Sequence, residues 1–177
     1  GPKELGLKKD PMKFVMLPAM ARRRHPIVEQ RLKDVAAFAE TFPFNQMIMG
    51  DDSLGIIAAG VAFQYAREVM PSASFLKLGM VWPLPEKMIR DFASRVKRLV
   101  IIEELDPFIE EAVRLMGIKV EGKELTGLCG ELSPEKVEIA LTGKSTAKGI
   151  GPIEMELPLR PPNMCPGCPH RATFTAL

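Results

Sequence analysis

Between residues 44 and 145 the chain alternates short apolar runs with longer mixed stretches. Residues 53–60, 74–79 and 98–104 are the runs, built from Leu, Ile, Val, Phe and Ala and too short for helices of their own. Residues 61–70 and 84–96, between them, predict helices. A third helix follows Asp106, which suits an N-cap, and Pro107, which suits the first helical position. Gly117 then suits a helix stop. Residues 118–122 predict a weaker strand. Ser133, Pro134 and Glu135 open a last helix to about Leu141, with Gly143 behind it. Strands alternating with helices of about ten residues make βαβ units, hence a parallel sheet covered on both faces. The expected fold class is α/β, a three-layer arrangement with a mostly parallel sheet and helices on both faces.

The flanks read differently. Residues 1–12 are mostly Lys, Glu, Gly and Pro and predict a loosely docked lead-in. Residues 14–18 are apolar and end in proline, which predicts a brief strand or extended arm. Arg22, Arg23, Arg24 and His25 form a basic cluster, either a phosphate or subunit contact or a solvated loop. Pro26 then opens a helix with Ile27, Leu32, Val35, Ala36 and Ala39 on one face, broken after Glu40 by residues 41–45. Glycine and proline crowd residues 146–163, a connector. The expected organisation is thus a lead-in arm and helix over 1–43, an α/β domain over 44–145, the connector over 146–163, and the start of a further domain over 164–177.

Composition narrows the function classes. The 177 residues are 46% hydrophobic and 26% charged, with a net charge of +2. So small an excess gives no reason to expect nucleic acid or a membrane surface as partner. No apolar run reaches the roughly 18 residues of a membrane span. The charged start lacks the apolar core of a signal peptide, and Gly1-Pro2 has the form of a tag-cleavage scar. Three cysteines, two of them clustered, favour a metal or redox site over a disulfide framework in a cytoplasmic protein.

Several residues carry candidate chemistry. Cys165 and Cys168 bracket Pro166-Gly167, a spacing that lets one tight turn aim both sulfurs at a single metal or cluster. Zinc with His170 as third ligand is an alternative, and two ordinary thiols on a turn another. His170 and Arg171 precede a helix start and could face a cofactor diphosphate or a substrate carboxylate, or Arg171 could pair with a neighbouring domain. Cys129 stands apart and predicts a half-buried apolar residue. Glu103 and Glu104 close a strand at the end where α/β proteins place ligands, and a surface or subunit-contact role is expected. Gly60 alone does not make a dinucleotide-binding turn. Trp82, between a strand and Pro83, predicts a rigid loop at the sheet edge.

The string Cys-Pro-Gly-Cys-Pro-His-Arg, from Cys165 to Arg171, with its lead-in Leu159-Arg160-Pro161-Pro162-Asn163-Met164, resembles the alpha subunit of indolepyruvate ferredoxin oxidoreductase. The segment Leu17-Pro18-Ala19 through His25 and the pair Phe44-Asn45 resemble the stretch leaving that family's first cofactor domain. The α/β domain resembles the transketolase C-terminal domain. The resemblance implies an internal fragment of a larger enzyme that oxidatively decarboxylates aryl pyruvates such as indolepyruvate to aryl-acetyl-CoA and reduces ferredoxin. It implies thiamine diphosphate, Mg2+ and [4Fe–4S] clusters in the whole enzyme, and coenzyme A, ferredoxin and a beta subunit as partners. Cys165 and Cys168 become cluster ligands, with further thiolates required beyond this chain, and His170 and Arg171 become cofactor-binding residues. No catalytic residue is expected here, and the fragment alone is expected to be inactive. A free-standing α/β interaction module with a metal or redox tail is the alternative.

Overall fold

The computed structural model describes residue 6, residues 9–146, residue 156, residues 158–159 and residues 163–176. Most of the predicted connector, including Arg160, Pro161 and Pro162, and most of the lead-in before Lys9 lie outside the described residues. The chain divides into two compact units, Gly1–Thr146 and Ala147–Leu177.

The first unit is built on a four-stranded sheet in the order β1-β3-β2-β4. The strands are β1 (Gln46–Ile48), β2 (Asp51–Ala59), β3 (Ala73–Leu78) and β4 (Leu99–Ile102). Central β2 pairs in parallel with β3 and β4, while β1 runs antiparallel along β3. Helices cover both faces, so the α/β fold class read from the sequence holds.

Strand alternation sorts the core into two halves. Leu54, Ile56, Ala58, Phe75, Val100 and Ile102 face one layer, formed by α3 (Gly60–Val69) and α7 (Pro134–Thr142). Ile57, Leu76, Leu78, Leu99 and Ile101 face the other, formed by α4 (Glu86–Ser94) and α5 (Phe108–Leu115). Ile56 and Ile57, adjacent in sequence, are both fully buried because a central parallel strand has no wet face. Phe63 of α3 meets Phe75 edge to face, ring centroids 5.6 Å apart. Gly55 lets β2 pass under Val96, whose Cγ2 lies 2.7 Å from where a Cβ would stand.

The N-terminal elements correct the sequence reading. Residues 11–14 form a short helix, α1 (Pro11–Phe14), at the end of the expected lead-in, so the arm expected over 14–18 keeps only residues 15–17 outside a helix. Asp10 starts it by accepting a hydrogen bond from the Lys13 amide at 3.1 Å. The next helix, α2 (Pro18–Ala39), begins eight residues before Pro26, which therefore lies inside it. Pro18 already supplies the favoured first-turn proline. Arg22 to His25 are thus helical rather than looped.

Three further differences are small. Residues 118–122 make no full strand: Glu121 forms one parallel bridge to Val100, donating to Leu99 O and accepting from Ile101 N. Short β1 and α6 (Lys123–Thr126) were not anticipated. Helix α5 begins at Phe108 with Pro107 at the N-cap, so Asp106 is not its cap. At the other end, Ser133 caps α7 as expected, accepting from Lys136 N at 3.2 Å, and Gly143 ends it with φ 74°.

The close passage at Gly55 makes a test. Gly55→Ala should destabilise the domain by about 1–3 kcal/mol in urea unfolding, the cost of overpacking a full core. Adding Val96→Ala should recover most of that loss. A Gly55→Ala variant as stable as the parent would show that the strand and Val96 are not held together.

Candidate functional site

The second unit holds the predicted cysteines. Cys165 O accepts from Cys168 N at 3.0 Å, closing a four-residue turn, and Gly167 sits at φ 77°, where a side chain would be strained. Cys168 O in turn accepts from Arg171 N at 3.1 Å, leading into α8 (His170–Ala176). Cys165 is exposed and Cys168 half-buried, and both are free thiols. Cys168 Sγ lies 3.3 Å from His170 Nδ1. The turn therefore joins three of the four sequence-predicted site residues, and Arg171 follows on the helix with its side chain exposed.

Two thiols on one turn match two of the four ligand positions of a [4Fe–4S] cluster. Among the described residues no group of three or more His, Cys, Asp or Glu side chains is placed to hold a metal ion. A cluster here needs thiolates from outside the described residues. Cys129 belongs to the first unit and is exposed there, not half-buried as expected. Its carbonyl accepts from Lys136 Nζ.

In the first unit, chemistry gathers at the carboxyl end of the sheet, where doubly wound folds bind ligands. Here that position is filled by the chain itself. Glu103 is 8% exposed, against the expectation of a surface pair. Its carboxylate accepts from Ile109 N at 2.8 Å and Glu110 N at 2.9 Å, the orphan amides at the start of α5. Burial pushes the Glu103 carboxyl above the usual glutamate range, opposed by these two amides and by Lys123. Lys123 Nζ donates to the Glu103 carbonyl. Glu110, itself 4% exposed, pairs with Arg114 at 2.8 Å and accepts from Lys123 N at 2.8 Å, which anchors α6.

Beside this network lies a cavity of about 340 Å3 lined by Glu104, Leu105, Lys123, Thr126, Leu128 and Lys136, among others. Leu105 stands at its rim with φ 57° and is 78% exposed. The Thr126 hydroxyl is buried without a hydrogen-bond partner. Trp82 contacts Phe108 with ring centroids 5.9 Å apart, yet stays 63% exposed.

The base of the sheet is closed by a different pair. Arg98 grips Glu121 with two hydrogen bonds of 2.8 Å, from Nε and Nη2. The guanidinium holds the Glu121 carboxyl below the usual glutamate range, and Glu121 raises Arg98 in return.

No protein-family model matches the chain. Relatives do. Over 96% of its length the chain is 33% identical to an indolepyruvate oxidoreductase subunit IorA from Archaeoglobus fulgidus, and over 99% it is 34% identical to one from Methanothermobacter thermautotrophicus. A third, from Thermococcus kodakarensis, is 31% identical over 96% of the chain. The chain spans only 30%, 31% and 30% of these relatives' lengths. The resemblance first seen around the cysteines therefore runs along the whole chain. A solved structure of a 2-oxoglutarate:ferredoxin oxidoreductase from Magnetococcus marinus, with 2-oxoglutarate, coenzyme A and succinyl-CoA bound, matches with a TM-score of 0.53. It is 18% identical over 72% of this chain and 23% of that one, a likeness of fold. No helix among the described residues is long and apolar enough to cross a membrane.

Two measurements check these sites. Glu103→Ala strands two buried amides and should lower stability by about 2–4 kcal/mol, whereas Glu103→Gln keeps an acceptor and should cost less than half of that. Because Glu121 is held below its unfolded pKa, its contribution is present above the ordinary glutamate value and is lost as pH falls through the folded one. The protection of the Glu121 and Ile101 amides, relative to their intrinsic exchange rates, should fall in that acid window, and Arg98→Ala should remove this loss.

Proposed function

We propose that this chain is an internal, non-catalytic third of an indolepyruvate:ferredoxin oxidoreductase alpha subunit. The observation that carries this is similarity over nearly the whole chain to 30–31% of each such subunit. In this reading residues 44–145 are the transketolase C-terminal-like domain, 146–163 the connector, and 164–177 the opening of the domain that takes thiamine diphosphate. Residues 1–43 lead in from the first cofactor domain. The whole enzyme would be cytoplasmic. It would convert aryl pyruvates and coenzyme A to aryl-acetyl-CoA and carbon dioxide, passing electrons to ferredoxin with a beta subunit as partner.

The fold supports assigning the α/β unit to scaffolding. The sheet end that could hold an anion at the N-terminus of α5 is filled by Glu103. Chemistry in this chain is then left to the cysteine turn. Cys165 and Cys168 would each donate a thiolate to a [4Fe–4S] cluster, which supplies single-electron transfer when bound. His170 would orient the Cys168 sulfur, 3.3 Å away. Arg171, exposed at the start of α8, would offer its fork to the cofactor diphosphate.

The test is the longer subunit, co-expressed with its beta subunit and purified without oxygen. Cys165→Ser with Cys168→Ser should lower iron and sulfide content by one cluster and cut indolepyruvate-dependent ferredoxin reduction at least a hundredfold. Unchanged iron content would remove the cluster assignment. In the 177-residue chain by itself, Arg171→Ala should leave calorimetric titration with thiamine diphosphate unchanged, and a tenfold loss of affinity would overturn the reading that most of the cofactor site lies outside this chain.

A further inference from the structure

We propose that α1 and α2 form a binding site for a phosphate-bearing small molecule, independent of the cysteine turn. A cavity of about 230 Å3 opens between the two helices, lined by Asp10, Met12, Lys13, Arg23, Arg24 and Ile27. Three cations thus meet on one hollow from two separate elements. Helical spacing explains part of this: adjacent Arg23 and Arg24 reach the cavity edge together with Ile27, which lies three and four positions further on.

Several cations elsewhere in the molecule are committed to carboxylates, whereas among the described residues these three, like others on the surface, are not. Arg90, Arg95, Arg98 and Arg114 each form an ion pair with a carboxylate. Among the described residues Lys13, Arg23 and Arg24 form no such pair, and on α2 Glu29 faces His25 instead. Lys13 rests over the Phe14 ring, 5.0 Å from its centroid. The cavity's single carboxylate, Asp10, already accepts a hydrogen bond from the Lys13 amide. The lining carries three positive charges against one negative.

Guanidinium forks match phosphoryl oxygens, and two of them beside an ammonium favour a dianionic group. Met12 and Ile27, 47% and 49% exposed, leave an apolar wall for an organic portion of the ligand. The phosphoryl group sits among Arg23, Arg24 and Lys13, and any attached organic body lies against those two side chains.

The experiment is calorimetric titration of the 177-residue chain with inorganic pyrophosphate and, separately, with ADP. Saturable binding of both is expected, weakening as salt rises. Arg23→Ala with Arg24→Ala should lower the affinity at least tenfold. The charge-matched control, Arg31→Ala with Lys33→Ala on the same helix, should change it less than twofold. Arg23 is exposed and Arg24 half-buried, and neither lies in the core, so circular dichroism should show both variants folded. Tighter binding of ADP assigns the site to an organic phosphate, and equal affinity assigns it to the inorganic anion. Absence of saturable binding, or equal losses in the two double variants, overturns the proposal.

Discussion

The amides at the start of α5 have no carbonyl of their own to bond, and Glu103 supplies the acceptor. Much of the domain's geometry hangs on that contact. Glu103 follows directly on β4, so its side chain fixes the angle at which the chain leaves the sheet and re-enters as a helix. Glu110, held at the start of α5 by this cap, reaches onward to the Lys123 amide and sets α6. A Cβ at Gly122 would collide with the Glu110 carboxylate and force it to shift from its bonds. Lys123 closes the circuit by donating to the Glu103 carbonyl. One carboxylate thus organises the whole carboxyl end of β4, and its burial is tolerable because both its oxygens are bonded.

The same device repeats where α2 meets the domain. Glu40, just past the end of α2, accepts from Lys87 N at 2.9 Å and Met88 N at 3.1 Å, the free amides of α4. Asn45 is 6% exposed, donates to Ala39 O at 2.8 Å and accepts from Gly79 N and Met80 N. Gly79 passes against Phe44 so closely that a Cβ would stand 2.7 Å from the Phe44 Cβ. These contacts bolt the end of the long helix to the end of β3. The remainder of α2 is mostly exposed, with Ala39 as its buried residue. A helix clamped at one end and bare along its length carries the basic cluster outward from the core.

The sheet was legible because its signal is local. Buried parallel strands are unbroken apolar runs, and the three predicted runs became β2, β3 and β4 within a few residues. Ser133-Pro134 and Gly143 marked α7 because capping chemistry sits within the helix that it caps. The misreadings have separate causes. Asp106 looked like the cap of α5, but the acceptor came from Glu103, five residues before the helix, where pattern rules do not look. Pro26 looked like a helix start because proline prefers first turns, while Pro18 already held that place. Strand β1 has three residues and pairs antiparallel at an edge, too short for period-two alternation to register. The cysteine turn needed no tertiary information, since Pro166-Gly167 between two thiols dictates it.

Function divides along the same line. A domain whose helix ends are answered by its own carboxylates has little left with which to seize an anion at the sheet. Nucleotide-binding α/β domains leave such amides open and place glycines where phosphate must approach. Here the strand ends carry Gly60 without the other glycines, and the α5 amides are taken. Filling those amides gains rigidity, most of all through Glu40 and Glu110, whose carboxylates bond amides 47 and 13 residues away in sequence. That suits a chain whose relatives are about three times its length and whose paired thiols sit on a turn outside the sheet. The basic hollow on α1 and α2 fits the division as well: it too lies off the sheet, on the one long helix that the core leaves exposed.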